Sequence, residues 1–310
     1  MVQDESAPPQ YLQSGTLAAR VKAQHSLALN SGALKPFATT YDWIEDGEVQ
    51  FLVRILANLK RKENAKKKKP PENFNPFLPY EADLFVANLS PTHLVLLNKF
   101  NVVDHHILIV TRRFEPQESL LGAEDFQALA IALSEMDGFA FYNGGKSAGA
   151  SQPHKHLQLV PLPLTPDAPN APPLPIHPLM LAADGVNPVL PYRHAIAHLN
   201  ILDFTQPLAI APWLQEQYQR LMKKLNLWPE NSLPENSLPE NGLQPLSAYN
   251  LLVTRQWMCI VPRSQEGFGG ISVNSLGFAG ALLVKDAAQL ETLRALQPMN
   301  ILTQVGQALP

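Results

Sequence analysis

The sequence predicts an α+β fold with a largely antiparallel sheet, one large domain assembled from two parts of the chain. Three observations lead there. Apolar runs of strand length are joined by short turns. Longer stretches with apolar residues on one helical face lie between them, the alternation of an α+β layer structure. A hydrophobic content of 45% over 310 residues is ample for a sizeable core.

In chain order, Val49, Phe51 and Val53 alternate as on a strand, although Leu52 between them is apolar too. Leu94–Leu97 and Ile107–Val110 are short apolar runs and read as strands. Over Glu124–Met136, Phe126, Leu129, Ala130 and Leu133 share one face of a helix. Phe139–Tyr142 reads as a strand that ends at the loop signal Asn143-Gly144-Gly145. Pro212–Leu225 is a second amphipathic helix, with Pro212 in its first turn and Glu216 spaced to pair with Arg220. Asn250–Thr254 and Trp257–Val261 form two strands joined by a tight turn. Asp286 caps a last helix whose Leu290, Leu293 and Leu296 face inward.

Three segments break these patterns. Lys60–Glu72 is a lysine-rich run ending in two prolines, the composition of a solvated loop. Pro161–Pro191 carries too many prolines for a helix or a central strand and reads as an extended connector along the surface. Pro229–Leu243 repeats a five-residue unit three times, too short a period for a solenoid, and reads as an exposed, dispensable insertion. The chain thus divides into 1–165, a connector at 166–191, and 192–310 with the insertion at 229–243.

A net charge of −3 gives no global basic balance for nucleic acid or an acidic membrane. A single cysteine, Cys259, excludes an internal disulfide and a cysteine-based zinc finger. The first residues form no signal peptide, and no apolar run is long enough for a bilayer. The expectation is a cytoplasmic protein with neither membrane nor nucleic-acid partner.

The densest chemistry lies in "GKSAGASQPHKHLQ", Gly145–Gln158. On a strand, alternate residues share a face, so His154, His156, Gln158 and Val160 point one way and Lys155, Leu157 and Leu159 the other. The preceding Gly149, Ala150, Ser151 and Gln152 let backbone N–H groups approach an anion. A phosphate in that loop would meet a histidine on the strand. A neutral imidazole is a good nucleophile near neutral pH, and attack on phosphorus gives a phosphoramidate that an acceptor can take over. Two other readings of the same residues stay open. One is a structural histidine pair. The other is a zinc site that recruits His105, His106 or Asp104.

"GKSAGASQPHKHLQLVP" closely resembles the active-site segment of the ATP adenylyltransferase, or diadenosine tetraphosphate phosphorylase, family. That family is a branch of the histidine-triad superfamily similar to galactose-1-phosphate uridylyltransferase. The resemblance extends to Ser31-Gly32-Ala33-Leu34, Leu97–Phe100 with His106–Thr111, Tyr249–Arg255 and Asn274–Gly280. It implies a histidine-triad-like sheet and nucleotidyl transfer, with diadenosine tetraphosphate, ATP, ADP and phosphate as partners. His156 matches the nucleophile that carries AMP, and Gln158 the residue that bonds the reacting phosphate. His154 and His106 match supporting histidines. Asn98 and Lys99 match nucleoside contacts, and Asn143 with Gly149–Gln152 the phosphate loop. Asn274, Ser275, Leu276, Ala281 and Lys285 match nucleotide contacts of the C-terminal part, and Lys60 a substrate-binding lysine.

The resemblance implies a divalent cation, magnesium, arriving with the polyphosphate. It implies no structural zinc, because the cysteines that hold zinc in the uridylyltransferases are missing. Gln158 stands where histidine-triad hydrolases have histidine, and an amide is no general acid near neutral pH. Adenylyl-sulfate phosphorolysis, sugar-1-phosphate uridylyl transfer and a non-catalytic dinucleotide sensor are the alternatives.

Overall fold

A computed structural model describes residues 10–56, 75–168, 170–199, 203–229 and 243–310. The whole lysine-rich run, Lys60 included, and the body of the repeats lie outside them. An eight-stranded sheet organises the rest. Its strands are β3 (Phe85–Asn88), β4 (His93–Leu97), β5 (Ile107–Thr111), β6 (Gly138–Gly144), β7 (His156–Pro161), β8 (Ala195–His198), β9 (Tyr249–Val253) and β10 (Trp257–Pro262). Their spatial order is β3-β4-β5-β7-β6-β9-β10-β8, with every neighbouring pair antiparallel. The first five strands in that order come from the N-terminal part and the last three from the C-terminal part. The seam between them is β6 against β9, with Asn143 opposite Asn250.

Both faces of this sheet are covered, so its strands read as continuous apolar runs rather than as clean alternation. One face takes three helices: α1 (Leu17–Ser31), α2 (Ala123–Glu135) and α4 (Pro207–Lys224). Into that core point Leu157 and Leu159 of β7, Ala140 and Tyr142 of β6, and Leu251 of β9. The predicted inward residues of α2, Phe126, Leu129, Ala130 and Leu133, are all fully buried there.

The opposite face is shared. Over β6, β9 and β10 it is covered by a three-stranded sheet of β1 (Thr39–Asp46), β2 (Val49–Leu56) and β13 (Ala281–Val284) and by helices α6 (Ala287–Leu296) and α7 (Pro298–Val305). A two-stranded hairpin, β11 (Gly267–Phe268) with β12 (Ile271–Ser272), and the short α5 (Ser275–Phe278) complete that cover. β2 is central in the small sheet, antiparallel to β1 and parallel to β13, and Phe51, Leu52 and Val53 are all fully buried. Burial on both sides explains why Leu52 interrupts the alternation. Over β4 and β5 the same face carries a separate cluster of Leu94, Leu96, Leu108, Val110 and Phe77.

Three expectations need correction. The helix predicted from Pro212 begins at Pro207, which takes the first-turn position, and Pro212 lies inside it. Pro212 cannot donate to Leu208, but Leu208 is exposed, so water can serve that carbonyl. Arg220 bonds Gln217 at 2.9 Å instead of pairing with Glu216. The proline-rich connector is no surface wrapping. It contains a short helix, α3 (His177–Ala182), and buries Leu164, Leu174, Ile176, Met180 and Leu190 in the second core. Its prolines shape the path, and the aliphatic residues between them fill space. The capping expectation for Asp286 stands: its carboxylate accepts from Gln289 N at 2.8 Å, at the start of α6.

Candidate active site

β7 lies between β5 and β6, and the two-residue period turns His156, Gln158 and Val160 away from the helices. Val160 goes under the small sheet. His156 and Gln158 lie where that cover gives way to the Phe77 cluster. A cleft of about 430 Å³ opens there, lined by both side chains, a size typical of small-molecule sites.

The state of His156 follows from its bonds. Its Nδ1 lies 2.7 Å from the His154 carbonyl, which can only accept, so Nδ1 carries the proton. Nε2 therefore keeps its lone pair. Burial lowers the pKa to about 4, so the ring is neutral at pH 7. Its backbone is clamped by the buried Gln117, whose Oε1 accepts from His156 N at 2.8 Å. Gln117 Nε2 donates to the carbonyls of His156 and Asn143.

His154 shares the face but not the cleft. Its Nε2 donates to the Thr111 carbonyl at 2.8 Å, which leaves Nδ1 to accept from Asn75 at 2.9 Å. Phe77 and Phe114 stand edge-on to the ring. With both nitrogens engaged, His154 reaches the site through its backbone carbonyl on His156.

A chain of bonds sets the orientation of Gln158. Phe100 N donates to Asn98 Oδ1 at 3.3 Å, which turns the Asn98 NH₂ towards His106 Nδ1 at 3.1 Å. His106 is neutral because burial lowers its pKa to about 4, so its proton sits on Nε2. That proton goes to Gln158 Oε1 at 3.0 Å. The NH₂ of Gln158 is then the end left for the cleft, a donor beside the His156 lone pair.

The loop after β6 forms the next wall. Gly149 has φ +86°, and a Cβ there would meet Asn274 Cβ at 2.8 Å and the Val273 carbonyl at 2.9 Å, so glycine lets the N- and C-terminal parts touch. Asn143 Oδ1 accepts from Asn250 Nδ2 and from the N and Oγ of Ser275. Its NH₂ remains for the cleft. Asn250 Oδ1 in turn accepts from the buried Arg263 at 2.7 Å. Arg263 also binds the carbonyls of Val273, Gln265, Glu266 and Val305, and burial lowers its pKa to about 10.

Of the residues singled out in the sequence, His156, Gln158, His106, Asn98, Lys99, Asn143, Gly149, Ser151, Gln152, Asn274, Leu276 and Ala281 line one cleft. Lys99 is ion-paired with Glu81. His154, Ala150, Ser275 and the exposed Lys285 are not on its lining. Gln117, Asn75, Phe77 and Arg263 carry no signal in the sequence, and Thr111 lies in a matching stretch that gives it no role, because these roles arise from contacts between distant segments. Among the described residues no group of three His, Cys, Asp or Glu stands ready for a metal ion. None of their helices is long and apolar enough to cross a membrane.

Comparison with known proteins places the whole chain in a family. The Ap4A phosphorylase N-terminal domain family matches residues 7–183, and the ATP adenylyltransferase C-terminal domain family matches 188–308. The chain belongs to the Ap4A phosphorylase family. Within it, diadenosine 5',5'''-P1,P4-tetraphosphate phosphorylase 2 of Saccharomyces cerevisiae is 29% identical over 265 residues, 79% of each chain. Protein APA1 of the same yeast is 24% identical over 295 residues, 87% of each. The crystal structure of yeast Ap4A phosphorylase Apa2 superposes with a TM-score of 0.72 at 25% identity, covering 96% of this chain and 95% of that one. The Apa2 structure in complex with Ap4A shares the fold at a TM-score of 0.70. As a member of the Ap4A phosphorylase family the chain is an enzyme, of the ATP adenylyltransferase kind.

Proposed function

We propose that the enzyme splits diadenosine tetraphosphate with inorganic phosphate, giving ATP and ADP through AMP held on His156. The observation that carries this reading is the fixed tautomer of His156, with Nδ1–H on the His154 carbonyl and the Nε2 lone pair at the cleft. Nε2 attacks an α-phosphorus. The N–P bond forms, the bridging P–O bond breaks, and ATP leaves with the electron pair. A phosphate oxygen then attacks the same phosphorus, the P–N bond breaks, and ADP leaves with His156 neutral again.

Negative charge on the reacting phosphoryl oxygens meets the NH₂ of Gln158, the NH₂ of Asn143, and the hydroxyl and N–H groups around Ser151. Gln158 holds those oxygens without a titratable proton to spend on water, so the AMP-enzyme waits for phosphate. Magnesium would come in on the polyphosphate and neutralise part of its charge. Glu81, the carboxylate on the described cleft wall, is already engaged by Lys99, so phosphate oxygens suit such an ion better than the chain does.

Product analysis tests the reading. With phosphate, ATP and ADP should appear in equal amounts. Without phosphate, one equivalent of ATP should appear, and labelled AMP should stay on the protein in an acid-labile, base-stable bond. His156→Ala should abolish both. ATP and AMP forming regardless of phosphate would make the protein a hydrolase.

A further inference from the structure

We propose that Arg54 forms a second phosphate subsite, which grips the phosphates remote from the phosphorus that His156 attacks. The inference rests on the phosphorolysis reading above and adds which side chain holds the leaving polyphosphate. A diadenosine tetraphosphate brings four phosphates into the cleft, while the donors around His156, Gln158 and Asn143 are neutral and serve one of them. Among the described residues, the basic side chains on the cleft wall other than histidine are Lys99 and Arg54. Lys99 is spent on Glu81. The described ion pairs of arginine belong to Arg255 and Arg294, not to Arg54.

Arg54 sits on β2 of the small sheet, beside Leu283 of β13, and so belongs to a different wall from β7. Its guanidinium is held by neutral acceptors. Nη2 donates to the Leu164 carbonyl at 2.7 Å, and Nη1 has a long contact of 3.4 Å to Thr39 Oγ1. Of five N–H donors these use two, and neither cancels the charge. The exposed Asp167 bonds the Tyr41 hydroxyl at 2.7 Å instead. Asp167 and Asp104 act on Arg54 only at longer range, with no direct ion pair among the described residues. A half-buried guanidinium that is pre-oriented, partly dehydrated and without a carboxylate in contact is built for a bidentate oxyanion, and phosphate is the oxyanion this cleft receives.

Two anions could fill such a subsite: the distal phosphates of the nucleotide, or the inorganic phosphate that accepts AMP. The geometry favours the distal phosphates, because Arg54 is carried by a wall other than that of the nucleophile. Two reactions separate them. Phosphorolysis of diadenosine tetraphosphate needs the distal chain. Exchange of labelled phosphate into ADP passes through the same AMP-histidine but lacks that chain.

For Arg54→Gln, the ratio of kcat/KM for the tetraphosphate to that for ADP exchange should fall roughly ten- to a hundredfold, the value of a charge-assisted contact. Arg54→Lys, which keeps the charge and loses the fork, should fall between wild type and Gln. Equal losses in both reactions would place Arg54 at the reacting phosphate or in a purely structural role, and would overturn the proposal. An unchanged ratio in both variants would overturn it too. Should Arg54→Gln not fold, an unchanged ratio in Arg54→Lys alone decides against the subsite. Failure of the underlying function is a different result, since wild-type protein would then form no ATP from the tetraphosphate.

Discussion

A buried imidazole here gains its reactivity from its surroundings. His156 and His106 are neutral because removing them from water penalises the charged ring, and each pKa falls to about 4. His156 therefore stays neutral, as the proposed attack on phosphorus requires, far below the usual histidine range. In a single-turnover burst without phosphate, ATP release at pH 5.5 should stay within about twofold of that at pH 7.5. An ordinary imidazole titrating near 6.5 would lose about tenfold, and that outcome would refute the assignment of a pre-neutralised nucleophile. Stability should fall on acidification while activity holds. Between about pH 6.5 and about 4 the unfolded chain takes up protons that the fold refuses, so folding weakens on acidification. At pH 5 each ring should cost about 2 kcal/mol relative to pH 7.5, readable as a lower urea midpoint. At this scale the sequence announces His156 and Gln158 through their spacing. It does not announce Gln117 or Thr111, whose bonds join segments some forty residues apart. His154 shows the limit best: its position is legible, but only the fold reveals that its carbonyl fixes the tautomer of His156. His154→Ala keeps that carbonyl and should lose far less activity than His156→Ala.

Next to His156, at the entry to β7, Lys155 points to the helix side and is anchored there. Its Nζ bonds Asp125 Oδ2 of α2 at 2.7 Å and Glu115 Oε2 at 2.9 Å. Burial works against its charge, but the two carboxylates outweigh it and hold its pKa above the usual lysine value. Asp125 also bonds His93 and the N–H of Gly122, so one carboxylate ties β4, α2 and the His154–His156 segment together. Lys155→Met should cost about 3 kcal/mol or more in chemical denaturation, because it strands a buried carboxylate. Adding Asp125→Asn should recover part of the loss; no recovery would mean the pair is not the cause. The turning of Lys155 away from the site is legible from alternation, whereas its partner thirty residues upstream is not. Periodicity found α2, expected over Glu124–Met136 and observed over Ala123–Glu135, because its inward face is plainly apolar. It missed α1, whose inward residues are Leu17, Val21, His25 and Ala28, a stripe diluted by a histidine and a small side chain. It misjudged the connector because proline content reports backbone path and says little about burial.

For the whole molecule, the two family-matched parts share one sheet and one cleft, and neither holds a complete wall. Asn143, Gly149 and His156 come from one part, Asn250 and Asn274 from the other. The repeats enter this frame at a closed gap: Leu246 N donates to the Leu227 carbonyl at 3.0 Å, so the flanks are already fastened. Removing two of the three five-residue units should therefore change melting temperature and turnover little. A large loss of either would show that the repeats contact the core or the substrate. The seam of β6 with β9 also sets a timetable for birth on the ribosome. β6 is complete at Gly144, yet its partner begins only at Tyr249. At ~5–20 residues per second, the edge of β6 waits roughly 5–20 seconds for its neighbour. During that interval β6 can pair with β7 on one side only, so a nascent chain presents an open edge on a strand containing Phe139, Phe141 and Tyr142, the kind of edge that recruits other chains. The architecture that builds one cleft from two segments thus leaves a sheet edge open to other chains for as long as the second segment is still being made.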